Sequence, residues 1–292
     1  MKQRTINRPV EAIGIGLHKG VPVKLRLEPM AENSGIVFYR SDKGVTIPLK
    51  PGYVVDTKMA TVIGNEGVVV STIEHLMSAV YAFGIDNLRI VVDNDEVPIM
   101  DGSAISFVMM IEEAGIKELD APKKFIRITK EVKIQDGAKF AVLKPNEKIS
   151  FDFEINFDHP VIGNQKYHFN FSTKNYIEEI ARARTFGFLK EVQYLRSIGL
   201  ALGGSLENAI VLDDKKILND SLRFEDEFVR HKILDAIGDM SLLGSNFIGS
   251  YEAFASGHHL NHLLTKKLVE EAAFEVVTFE VEGEKAVAKA FS

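Results

Sequence analysis

Phe224 to Leu243, FEDEFVRHKILDAIGDMSLL, places Val229, Ile233, Ala236, Met240 and Leu243 on one stripe of a long helix. His231, Asp235 and Asp239 recur every four residues, so each lies one turn above the last, about 5–6 Å apart at the base. His231 and Asp235 fall opposite the apolar stripe, beside Gly238, where a missing side chain leaves room for another element. The ordinary fate of a His and an Asp at this spacing is a solvated face with a weak ion pair. A second segment far upstream, built on the same plan, points instead to a shared site.

That segment is Val70 to Gly84. Ser71 followed by Glu74 is the pattern of a capping box, and Gly84 is placed to close the helix. Ile73, Leu76, Met77, Val80 and Tyr81 form the apolar face, while His75 points the other way, above Ala79 and Ala82. Glu74 is therefore either a cap or a functional acid. Two helices each present a histidine above small residues, as a three-ligand site assembled from separate segments requires.

Around these helices the chain alternates apolar and polar residues in short runs. Val21 to Leu27 and Gly35 to Tyr39 read as strands, as do Ile85 to Val92 and the runs Phe125–Ile128, Glu131–Ile134, Lys139–Leu143, Ile149–Phe157 and Lys166–Phe171. Gly14, Gly16 and Gly20 surround His18, a turn or surface histidine on this reading, and no dinucleotide pattern follows them. The acids in Asp93–Gly102 lack the spacing of a calcium loop and read as a solvated turn. Glu118 to Lys124, with Pro122, is the most linker-like stretch and divides the chain into residues 1–121 and 122–292. In the second half Asn175–Ala181 and Leu189–Ser197 are helical, and Gly199–Ser205 is a flexible apolar loop. Phe186, Phe188, Val192, Leu200 and Leu202 are either core or the wall of an apolar groove. After the long helix come a strand, Gly249–Ala255, a helix opened by His258, and a closing strand, Phe274–Phe279. His259 and His262 read as exposed, whereas His258 sits at a loop-to-helix junction suited to an acid or base.

Composition narrows the classes. The chain has 292 residues, 46% hydrophobic and 26% charged, which suits a soluble protein of one or two domains. With 35 basic and 41 acidic residues the net charge is −6, and no basic run supports nucleic-acid binding. There is no cysteine, so any zinc must use His, Asp or Glu. No apolar run approaches the ~20 residues of a membrane span, and the first residues do not resemble a signal peptide.

Ser71–His75, Arg184-Thr-Phe-Gly-Phe188, Phe228–Asp239 and Ser256-Gly-His258 together closely resemble the UDP-3-O-acyl-N-acetylglucosamine deacetylases, the zinc amidases of lipid A synthesis. Glu96–Ala104 and Leu202–Ser205 extend the resemblance through nearly the whole chain. It implies an α+β fold of two similar domains, each a sheet-and-helix layer, packed face to face with the active site between them. It implies zinc held by His75, His231 and Asp235, Glu74 as general base, and His258 as proton donor positioned by Asp239. Thr185 would bind the oxyanion and Lys232 would contact the substrate. An insert near residues 186–212 would form an acyl passage bordered by Phe186, Phe188, Val192, Ala201, Ser205 and Ala209. Lys139 and Phe157 would lie near the nucleotide. The substrate would be a UDP-linked acylated glucosamine, and the enzyme a cytoplasmic monomer. The competing readings are a zinc hydrolase for another sugar nucleotide and a non-catalytic sugar-nucleotide or acyl-binding module.

Overall fold

The computed structural model describes residues 1–279 and 285–291. Along the strand Pro22–Pro29, Val23, Leu25 and Leu27 turn inward while Lys24 and Arg26 turn outward, the period-two pattern of a sheet covered on one face. This strand sits in a five-stranded sheet ordered Val10–Ile15, Pro22–Pro29, Leu88–Val92, Ile36–Arg40, Val45–Pro48. Only the contact of Leu88–Val92 with Ile36–Arg40 is parallel.

The second half repeats that order with Val132–Asp136, Lys139–Lys144, Phe247–Phe254, Ile149–Asn156 and Asn164–Asn170. Again the third strand meets the fourth in parallel. Lys124–Ile128 and Phe274–Thr278 bring this sheet to seven strands. Their counterparts in the first half, Lys2–Ile6 and Ile116–Pro122, form a separate antiparallel ribbon. The chain is thus α+β with two like-wound layers. The repeat is hidden in the residues because a strand demands only alternation, which many side chains satisfy.

In each half one helix precedes the central strand and one follows it. Glu74–Ala82 and Ile105–Ala114 flank Leu88–Val92; Glu227–Met240 and His258–Glu270 flank Phe247–Phe254. The two preceding helices pack on each other, and the longer one also rests on Ile149–Asn156 and Asn164–Asn170. Every residue of Glu74–Ala82 is buried, as are all of Glu227–Met240 except Arg230 and Lys232. A helix enclosed on two sides can hide polar groups on the face away from its apolar stripe. Gly238 makes the crossing possible, because a Cβ there would overlap the carbonyl oxygen of Glu74.

Two sequence expectations are corrected. Ser71 and Glu74 form no capping box: Ile73 is the N-cap residue, without a side-chain cap bond. Ser71 is instead bridged to Glu96, its N–H bonded to Asp95 O, and the Glu74 carboxylate turns to Thr61. The tertiary pairing of the preceding loop outcompetes the local bond. The linker-like stretch is also structured, since Ile116–Pro122 and Lys124–Ile128 are both strands. We propose the division into residues 1–121 and 122–292, on the ground that each part completes its own sheet; residues 280–284 and 292 lie outside the described residues.

Lys123, between those strands, is fully buried, its Nζ donating to Gly84 O at 2.9 Å and Asp86 Oδ1 at 2.6 Å. Burial pushes its pKa down, opposed by Asp86. Lys123→Met takes the donor from Asp86 Oδ1, leaving that carboxylate only the Arg4 N–H on Oδ2, and should lower the unfolding free energy by ~3 kcal/mol, read from urea denaturation.

Candidate active site

The crossing of the two central helices brings His75, His231 and Asp235 together, at 4%, 2% and 4% exposure. Asp235 Oδ1 lies 3.5 Å from His75 Nε2 and 3.3 Å from His231 Nε2. One donor atom from each residue falls within 4.8 Å of the others. Asp235 Oδ1 takes no hydrogen bond of ordinary geometry, although such buried oxygens are normally satisfied. Oδ2 is held by Lys232 Nζ at 2.8 Å. His231 Nδ1 meets Ala183 O at 3.0 Å, the outer contact that leaves Nε2 free to ligate. Burial pushes the His231 pKa down to about 4 against the pull of Asp235, so the ring is neutral at pH 7. Burial would raise the Asp235 carboxyl, yet His231, Lys232 and His75 hold it well below the usual range. Two imidazoles and a carboxylate converging on one point are a donor set that fits a divalent metal ion.

Beside this group stand a carboxylate and a histidine. Glu74 Oε1 lies 3.5 Å from His258 Nε2. Burial raises the Glu74 pKa, opposed by His258 and His75. Burial also disfavours the charged His258, but Asp239 and then Glu74 outweigh it and the pKa is pushed up to about 10. His258 Nδ1 is 2.9 Å from Asp239 Oδ2, so the ring is held in one orientation with Nε2 facing the site. A histidine held in its charged form thus stands as a proton donor beside the Glu74 carboxyl.

Thr185 stands just before the strand Phe186–Phe188. Its N–H donates to Gly102 O and its carbonyl accepts from Ile210 N, both at 2.8 Å. Gly102, at φ +83°, passes so close to Asn208 that a Cβ would overlap its carbonyl oxygen. The preceding residue, Arg184, forks onto Glu227 at 2.8 and 3.1 Å, fastening this loop to the start of the long helix.

Two cavities with part of their lining in common lie at the site. The first, about 490 Å³, is lined by Glu74, His75, His231, Lys232, Asp235 and His258, and farther out by Lys139, Phe157 and Phe188. The second, about 430 Å³, is lined by Val192, Leu195, Ala201, Ser205 and Ala209. Thr185, Phe186 and Gly187 border both. Phe188 does not border the second cavity; its ring lies 5.9 Å from Phe157 in the first.

Several lining and supporting residues escaped the sequence. His18, expected as a turn or surface residue, lines both cavities with Leu17 and Met59, and its N–H is bound by the Glu96 carboxylate. The glycines around it were the one local signal. Thr61 and Asn261, which hydrogen-bond Asp239, carried none. His259 and His262 do not join the metal-ligand group.

These parts are those of a metal-assisted hydrolase with an apolar annex. Residues 3–270 match the family UDP-3-O-acyl N-acetylglycosamine deacetylase (LpxC). A UDP-3-O-acyl-N-acetylglucosamine deacetylase from Nautilia profundicola is 92% identical over 292 residues, covering all of both chains. Another from Nitratiruptor is 71% identical over 95% of this chain and 94% of its own, and one from Aliarcobacter butzleri 66% over 96% and 94%. The chain belongs to the UDP-3-O-acyl N-acetylglycosamine deacetylase family.

Proposed function

We propose that the protein hydrolyses the N-acetyl amide of UDP-3-O-(3-hydroxyacyl)-N-acetylglucosamine in lipid A biosynthesis, releasing acetate and the free amine. The observation that carries this reading is the apolar cavity that shares Thr185 and Phe186 with the cavity lined by His75, His231 and Asp235. It gives a fatty chain on the sugar a place to lie while the acetamide sits at the metal ligands.

Zinc is the metal best matched to His75, His231 and Asp235, and when bound it supplies Lewis acidity, polarising a carbonyl and lowering the pKa of water to about 7. Glu74 takes a proton from the attacking water as the oxygen adds to the acetyl carbon. Thr185 faces the developing oxyanion, with Lys232 beside it to contact the substrate. His258 then protonates the departing nitrogen as the C–N bond breaks, while Asp239 holds the ring. Phe186, Val192, Ala201, Ser205 and Ala209 enclose the acyl chain, and Lys139, Phe157 and Phe188 receive the nucleotide end. The reading includes the cytoplasm as compartment and one chain as working unit, because both halves of the site come from the same chain. Among the described residues no helix is long and apolar enough to cross a membrane.

The test is a steady-state assay of acetate release from a panel of UDP-acyl-sugars, with and without added zinc. No release from any acylated substrate by the zinc-loaded protein overturns the reading. The passage has its own test in Val192→Phe, on the exposed helix Leu189–Ser197. Ala201 is less suitable because its φ of 53° makes bulk there strain the backbone. Val192→Phe should penalise long chains selectively, by about 0.8 kcal/mol for each methylene displaced from the cavity. Equal losses for short and long chains would contradict the passage.

A further inference from the structure

The two carboxylates that serve proton transfer come from different helices, yet both are bound by one residue of a third element. Thr61 immediately precedes the strand Val62–Asn65, in a small sheet with Val54–Asp56 and Val68–Val70. Its N–H donates to Glu74 Oε2 at 3.1 Å, and its hydroxyl donates to Asp239 Oδ1 at 2.6 Å. The residue is 1% exposed, so neither bond is shared with bulk solvent.

The two bonds act on different atoms of the site. Engaging Glu74 Oε2 leaves Oε1 as the oxygen facing His258 Nε2. Asp239 spends Oδ2 on His258 Nδ1 and on Asn261 Nδ2 at 2.8 Å, and the Thr61 hydroxyl is the donor to Oδ1. Asn261 is itself held by Tyr251 OH at 2.6 Å and Ser256 Oγ at 3.1 Å. Without the hydroxyl, one end of the Asp239 carboxylate is buried without a donor and its plane is fixed from one side only.

We propose that Thr61 is a positioning residue for the deacetylation, its hydroxyl holding His258 in line through Asp239 and its backbone N–H selecting the free oxygen of Glu74. The small sheet delivers this residue to the back of the site. The inference rests on the deacetylase reading above.

Thr61→Val keeps the shape and the backbone N–H but removes the hydroxyl, and Thr61→Ser restores it. Each is made in the unaltered zinc-loaded chain and in Asp239→Ala, and kcat, KM, bound metal and melting temperature are measured. Thr61→Val should lower kcat by about 10–100-fold, as loss of an orienting partner does, with KM and metal content unchanged. Thr61→Ser should stay within about threefold of the parent. In Asp239→Ala the valine should cost less than about twofold, since residues acting through one partner are not additive. Full additivity in that background, a serine variant as slow as the valine one, or unchanged kcat in Thr61→Val overturns the proposal. Failure of the unaltered chain to release acetate overturns the functional reading instead, so the two are told apart.

Discussion

Asp235→Ala should empty the metal site while leaving the fold intact. The carboxylate sits where two imidazole nitrogens converge, and its Oδ1 has no other hydrogen-bonded role. Losing a direct ligand should weaken metal binding by more than the roughly 10–100-fold that an outer partner costs. The helix carrying it is anchored by Phe228, Val229, Ile233, Ala236, Ile237 and Met240, all buried and untouched by the change. Lys232 loses its partner but is one of the two residues of that helix not fully covered, so its ammonium can be hydrated. Metal per chain, measured by atomic spectroscopy after gel filtration, should fall from about one to near zero, with the circular dichroism spectrum unchanged. His75→Ala and His231→Ala should do the same, and full occupancy in all three variants would remove the metal assignment.

Glu74→Gln should retain metal and substrate affinity yet lower turnover by roughly 10²–10⁴-fold, the range for loss of a general base. Glutamine can still accept the Thr61 N–H, so the side chain keeps its place. The helix start is indifferent to the change, because the carboxylate makes no cap bond. Burial already disfavours the charge on Glu74, so the neutral amide should not lower the melting temperature. A Glu74→Gln variant with near-normal kcat would return Glu74 to a purely structural role.

Much of this site is legible in the residues alone. The recurrence of His231, Asp235 and Asp239 every four residues places them on one helix face, and Gly238 marks where another backbone comes close. His75 beside Ala79 and Ala82 supplies the matching surface. Such readings hold because helix geometry alone decides which residues share a face. The capping box fails for the complementary reason. Ser71 and Glu74 have the right spacing, but the pairing of Ser71 with Glu96 and the bond from Thr61 to Glu74 come from elsewhere in the chain.

Local order therefore follows from the sequence itself: the strand alternation, the two polar-backed helices, the likeness of the motifs to one family. What the tertiary structure alone decides is which distant segments meet. Thr61 and Asn261 reach Asp239 from 178 and 22 residues away. His18 lines both cavities from a glycine-rich turn, and Phe188 stays out of the second, apolar cavity and lies beside Phe157. The repeated strand order of the two halves belongs to the same category. Periodicity is a property of neighbours along the chain, whereas a contact between remote residues depends on how whole sheets and helices stack, and no single residue type records that.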